Sequence, residues 1–279
     1  MQSQITEKKP MQAPYHIIEP SVKKVPFVLS VPHCGTAFPE EIKGDYNPEM
    51  AAKPDDTDWF VEELYKFASE FGITIIYAHY SRWVIDLNRD PESKALYNDG
   101  RIITGLCSST DFFGRDIYTS ADKIPNAEEV QRRLNTYYWP YYNKITELLE
   151  ARVQEFGKVL LWDGHSIRRS VPTISKVDFP DLILGNNDGK TADAAIIQTT
   201  LENLQTGPWP VSHNTPFKGG HITRYFGNPE MQIHALQLEM NKILYMDDSE
   251  MEYHTERANE VIQLLRKTFK ELIKTLATI

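Results

Sequence analysis

Two histidines stand where apolar runs end. His33 closes VPFVLSVPH (residues 25–33), and His165 closes KVLLWDGH (158–165). Imidazole nitrogens delivered on strand ends suit a divalent cation. A catalytic zinc takes three protein ligands, drawn from imidazoles and carboxylates, and leaves a fourth position for water. The third ligand would be an acid. The segment PDDTDW offers Asp55, Asp56 and Asp58 where a helix starts. Spacing does not choose among them, and Asp is also a preferred helix cap. Asp163, two residues before His165, is placed to orient that imidazole. DLNR brings Asn88 and Arg89, an amide and a planar guanidinium fork that together match a carboxylate. Glu239 ends HALQLE; a carboxyl buried among apolar neighbours has a raised pKa, which suits a general base. A salt bridge to Arg224 is the plainer role for Glu239. Cys34, next to His33, supports a rival chemistry, a thiol nucleophile with a histidine base. A third reading is a binding protein whose arginines hold carboxylates without hydrolysis.

The elements that must carry these residues alternate between strand and helix. Strands are expected at 25–33, 73–80, 83–89, 158–165, 181–186, 219–227 and 233–242. Helices are expected at 57–72, at 126–157 with a kink or break at Pro140, at 191–205 and at 252–277. The last is amphipathic, with Val261, Leu264, Leu265, Phe269, Leu272 and Leu276 on one face. This pattern is α/β. Strands that follow one another without a helix point to a mixed rather than purely parallel sheet. Residues 1–20 read as a loose arm and 21–279 as one domain. Residues 90–124 are long for a connection and read as a lid or substrate loop. In open α/β sheets the ligand crevice lies outside the carboxyl ends of strands, and four of the expected strands end in the polar residues above.

Composition narrows the function. A net charge of −9 argues against general nucleic-acid binding. No run approaches the ~18 apolar residues of a membrane span. Two cysteines do not make a disulfide framework, so a soluble cytoplasmic protein is expected. An acidic chain that binds an anion needs a local positive pocket, and Arg168 and Arg169 directly after His165 fit that need.

Taken in order, SVPHCGTAFPEE, DTDWFVEELY, RWVIDLNRDP, DGHSIRR, DLILGNNDG, FKGGHITRYFGNP and HALQLEMNK resemble the N-formylglutamate amidohydrolases over about residues 28 to 245. The resemblance implies a three-layer α/β/α sandwich with a mixed central sheet, similar to that of zinc carboxypeptidases and aspartoacylases. It implies one zinc ion per chain, held by His33, Asp56 and His165. It implies Glu239 as general base, with Asn88 and Arg89 gripping a substrate carboxylate. Arg82 or Arg89 would offset charge on the tetrahedral oxygen. Arg168, Arg169 and Arg224 are candidates for a second carboxylate, and His221 for positioning the substrate. The substrate implied is a small N-acyl acidic amino acid, foremost N-formylglutamate. The chain departs from the related carboxypeptidases in having Thr36, not an acid, three residues after its first histidine.

Overall fold

Phe27–Val31 (β2) is buried at every position, as a strand covered on both faces must be. The computed structural model describes residues 13–92, 94 and 105–279. Its other strands are Tyr15–Ile18 (β1), Thr74–Ala78 (β3), Val159–Ile167 (β4), Leu182–Gly185 (β5), Val211–His213 (β6) and Ile233–Asn241 (β7). The helices are Pro48–Ala52 (α1), Val61–Tyr65 (α2), Ala127–Arg133 (α3), Trp139–Phe156 (α4), Ala194–Leu204 (α5), His221–Phe226 (α6) and Thr255–Thr278 (α7). The seven strands form one sheet in the order β1-β3-β2-β4-β7-β5-β6. β3, β2, β4 and β7 run parallel; β1 is antiparallel to β3, and β5 to β7. The sheet is therefore mixed, and its four central strands end on one edge.

Alternation divides each central strand between two cores. Leu160, Trp162, Leu236 and Leu238 face the layer of α2, α5 and α7. Val159, Leu161 and Ala235 face the layer of α4 and α6. Six expected face residues of α7, from Val261 to Leu276, are all buried. Its Phe269 packs on Phe27, Tyr65, Phe67 and Trp162; burying a ring of this size stabilises by about 1.5–3 kcal/mol. Gly164 lets the sheet approach α2, since a Cβ there would meet the Tyr65 ring at 2.7 Å.

Four expectations change. Residues 15–18, inside the supposed loose arm, form the edge strand β1. Residues 83–89 are turns rather than a strand. Ser81 Oγ accepts from Trp83 N–H and Asp86 Oδ1 from Asn88 N–H, side-chain turns that compete with a ladder. Residues 221–226 are a short helix, not a strand, because Ile222 and Phe226, four apart, both enter the core. The helix expected from 57 starts only at Val61. The 126–157 helix is interrupted by a π-helical stretch, Leu134–Tyr138, immediately ahead of the α4 turn that holds Pro140. Part of 90–124 lies outside the described residues; the rest is irregular, with one 3-10 turn at Ala121–Lys123.

Candidate metal centre and active site

β4 and β7 lie side by side with Asp163 opposite Gln237 and His165 opposite Glu239. All four residues leave the face that Leu161 and Ala235 share, since side chains alternate along a strand. A polar patch thus replaces the apolar one over the last residues of two adjacent strands. His33 joins it two residues beyond β2, with its ring centroid 4.9 Å from that of His165. Asp58 arrives from the turn before α2, held by its backbone N–H on His33 O at 3.0 Å. Phe60 in that turn has a φ of 63°, a costly left-handed conformation for a bulky residue, and the turn keeps Asp58 off the helix.

Both imidazoles turn Nδ1 to the same carboxylate oxygen. Asp58 Oδ2 is 3.1 Å from His165 Nδ1 and 3.7 Å from His33 Nδ1. One donor atom from each of His33, Asp58 and His165 lies within 4.8 Å of the other two, and all three residues are buried. The opposite nitrogens are backed. His33 Nε2 is 2.8 Å from Asp86 Oδ1. His165 Nε2 is 3.0 Å from Asp163 Oδ2 and 3.0 Å from Asn88 Nδ2. The Asp163 contact is off the line of a hydrogen bond, so both its oxygens, fully buried, lack a partner among the described residues. An acceptor left unpaired beside an imidazole is what a histidine needs once Nδ1 gives its lone pair to a cation and Nε2 carries the proton. The donor set fits zinc chemistry.

The electrostatics agree. Burial, with the Arg82 charge beside it, lowers the His33 pKa to about 4, so this ring is neutral and able to ligate. Burial works against the charged form of His165, but Asp163 and Asp58 outweigh it and raise its pKa well above the ordinary value. A cation entering the site takes the place of that proton. Burial also works against the ionised Asp86, but Arg82, Arg89 and His33 hold it well below the usual carboxylate range. Burial, reinforced by the Asp58 charge and only partly offset by His165, pushes Glu239 up to about 7.

The three acids of PDDTDW have separate partners. Asp56, expected as the third ligand, faces away: its Oδ2 accepts from Trp83 Nε1 at 2.8 Å and its Oδ1 from Phe112 N–H at 2.9 Å. Asp55 pairs with Arg168. Asp58 alone meets the histidines. Asp86, given no role from sequence, is hydrogen-bonded to His33; a carboxylate at the end of the apolar run WVI was its one signal in the sequence.

The expected substrate residues divide. Arg82 is buried, its NH2 2.7 Å from Asp86 Oδ2 and its guanidinium 4.9 Å above the Phe112 ring. Arg89 lies 3.8 Å from the same oxygen and lines a pocket of about 130 Å³ with Thr110, Phe112, Thr173 and Ile174. Asn88 Oδ1 accepts from Ile222 N–H at 2.8 Å, and its Nδ2 lies 3.0 Å from His165 Nε2, a hydrogen bond only while that nitrogen carries no proton; once Nδ1 ligates and Nε2 is protonated, the amide is released. Arg168 does not reach the histidines: Asp55 and Glu250 bind its guanidinium. Arg169 is exposed and pairs with Asp178 at 3.2 Å. Arg224 Nε donates to Gly219 O, 2.9 Å away. The His221 ring packs against Tyr142 and Tyr225, with its Nε2 buried and unpartnered among the described residues.

Cys34 does not form an activated thiol. Its Sγ faces the carbonyls of Val31 and Ala78, at 3.5 and 3.8 Å. Burial and the nearby Glu62 and Asp58 charges raise its pKa well above the ordinary thiol value. Replacement of Cys34 by Ser should leave kcat within about threefold of the parent chain, because a buried thiol of raised pKa is inert. A loss of turnover with the fold intact by circular dichroism would restore the thiol reading.

Comparison with known proteins bears on this geometry. The family model described as N-formylglutamate amidohydrolase matches residues 25–246. A Pseudomonas aeruginosa N-formylglutamate deformylase is 40% identical over 253 residues, covering 90% of this chain and 93% of the relative. A Pseudomonas putida N-formylglutamate deformylase is 34% identical, covering 91% and 92%. The crystal structure of an N-formylglutamate amidohydrolase from Ralstonia eutropha JMP134 superposes with a TM-score of 0.77 at 26% identity, over 93% of this chain and 98% of that one. The chain belongs to the N-formylglutamate amidohydrolase family.

Proposed function

We propose that this chain is a zinc-dependent amidohydrolase that converts N-formyl-L-glutamate to formate and glutamate. The observation that carries the reading is the buried convergence of His33, Asp58 and His165 with Glu239 beside His165 on the next strand, in a chain of this family. A divalent cation held by those three side chains would lower the pKa of a bound water to about 7 and polarise the formyl carbonyl. Asp86 and Asp163 keep the two rings turned with Nδ1 inward. Glu239 takes the proton of the attacking water and returns it to the leaving amine nitrogen. Arg82, fixed beside His33 by Asp86 and Phe112, offsets negative charge developing on the carbonyl oxygen. Arg89, which lines the ~130 Å³ pocket, holds the substrate carboxylate with the amide of Asn88 next to it.

Formate release from a panel of N-formyl amino acids tests the reading. N-formylglutamate should be turned over and N-formylleucine should not. A chelator should abolish the activity and added zinc restore it. Absence of formate, or a rate indifferent to a chelator that strips the protein of metal, would sink it.

A further inference from the structure

Gln237 stands two residues before Glu239 on β7 and leaves the same face. It is buried, beside Asp163 of β4. Its carboxamide is clamped at one end: Gly220 N–H donates to Oε1 over 2.6 Å. That contact fixes which end is oxygen, since the flipped amide would set an N–H against an N–H. The nitrogen end therefore donates to Glu239 Oε2, 3.2 Å away.

The clamp has little freedom of its own. Gly219 takes a φ of 99° and Gly220 passes so close to Asn88 that a Cβ would lie 2.2 Å from Nδ2. Ile222 N–H, on the same turn, holds Asn88 Oδ1. Asn88 N–H in turn rests on Asp86, the residue that orients His33. The turn that opens α6 thus connects the carboxyl of β7 to the imidazole beyond β2 through short hydrogen bonds.

We propose that Gln237 is a positioning residue for Glu239: clamped by Gly220, it holds Oε2 and leaves Oε1 as the oxygen that accepts the proton of water. The inference rests on the reading of Glu239 as general base. A half-buried carboxylate held by one fixed donor loses rotamers that would swing it from the water, and a displacement of about 1 Å in such a group costs roughly a hundredfold in rate.

Three variants test it, with formate release from N-formylglutamate as the readout. Gln237→Met keeps length and removes both contacts. Gln237→Glu keeps an acceptor for Gly220 N–H and replaces the donor toward Glu239 by a second carboxyl that repels it, so it remains informative if the Met variant does not fold. Each should lose about tenfold to a hundredfold in kcat, with KM within about twofold and zinc content unchanged. Wild-type kcat in both, or a loss carried by KM, would overturn the proposal. Glu239→Gln is the control. If it retains kcat, the base reading fails; if it is inactive while the Gln237 variants are not, the positioning inference alone fails.

Discussion

Glu239→Gln should lower kcat by about 10²- to 10⁴-fold, the usual contribution of a positioned general base, while zinc content and KM for N-formylglutamate stay near those of the parent. The amide is the same size as the carboxyl and can still meet Gln237 Nε2 through its oxygen, so the fold has no reason to change. It cannot take up a proton at neutral pH. The pH profile provides a second readout. A base works ionised, so activity is lost as pH falls through its pKa. Burial and Asp58 place that value near 7 in the metal-free chain, and a dication beside the carboxylate can only lower it. The acid limb of kcat/KM should therefore lie below 7 and be absent from the residual activity of the variant. Parental kcat in the variant would remove Glu239 from the chemistry.

The second large effect separates two neighbouring acids. Asp58→Asn should lower zinc affinity by more than the roughly 10- to 100-fold cost of losing a supporting residue, and turnover should fall with it, because the buried carboxylate between the two Nδ1 atoms is gone. Asp56→Asn should behave in the opposite way. Its carboxylate accepts two hydrogen bonds, from Trp83 Nε1 and Phe112 N–H. An amide can accept only one of them and sets its own N–H against the other donor. Leaving one buried donor unpaired costs about 1–3 kcal/mol of stability, seen as a lower denaturation midpoint with zinc retained. If Asp56→Asn releases the metal and Asp58→Asn does not, the ligand assignment is wrong.

These two acids also show how far the sequence could be read. The strands that deliver His33 and His165 were legible because an apolar run that turns polar toward its carboxyl end has few other uses, and β7 followed from the alternation in HALQLE. Which acid of PDDTDW joins them was not. The choice depends on a backbone N–H from Asp58 to His33 O and on a left-handed Phe60, and neither leaves a mark in residue type. The arginines misled for a related reason. Arg168 follows His165 directly, yet it is bound by Asp55 and by Glu250, 82 positions further on; sequence shows a charge but not its neutralising partners. RWVIDLNR has strand-like composition, but local hydrogen bonds from Ser81 and Asp86 fold it into turns. That error did not cost the site, since the turns still follow β3 to the edge where the ligands meet.

The central claim is that His33, Asp58 and His165 enclose one divalent cation. Crystals of the zinc-loaded chain, measured on both sides of the zinc absorption edge, test it most directly. One anomalous peak is expected, about 2.0–2.2 Å from His33 Nδ1, His165 Nδ1 and an Asp58 oxygen, with Glu239 within hydrogen-bonding reach of the ion's water. A peak bound by Asp56, or none between the two imidazoles in a fully loaded and active sample, would contradict it.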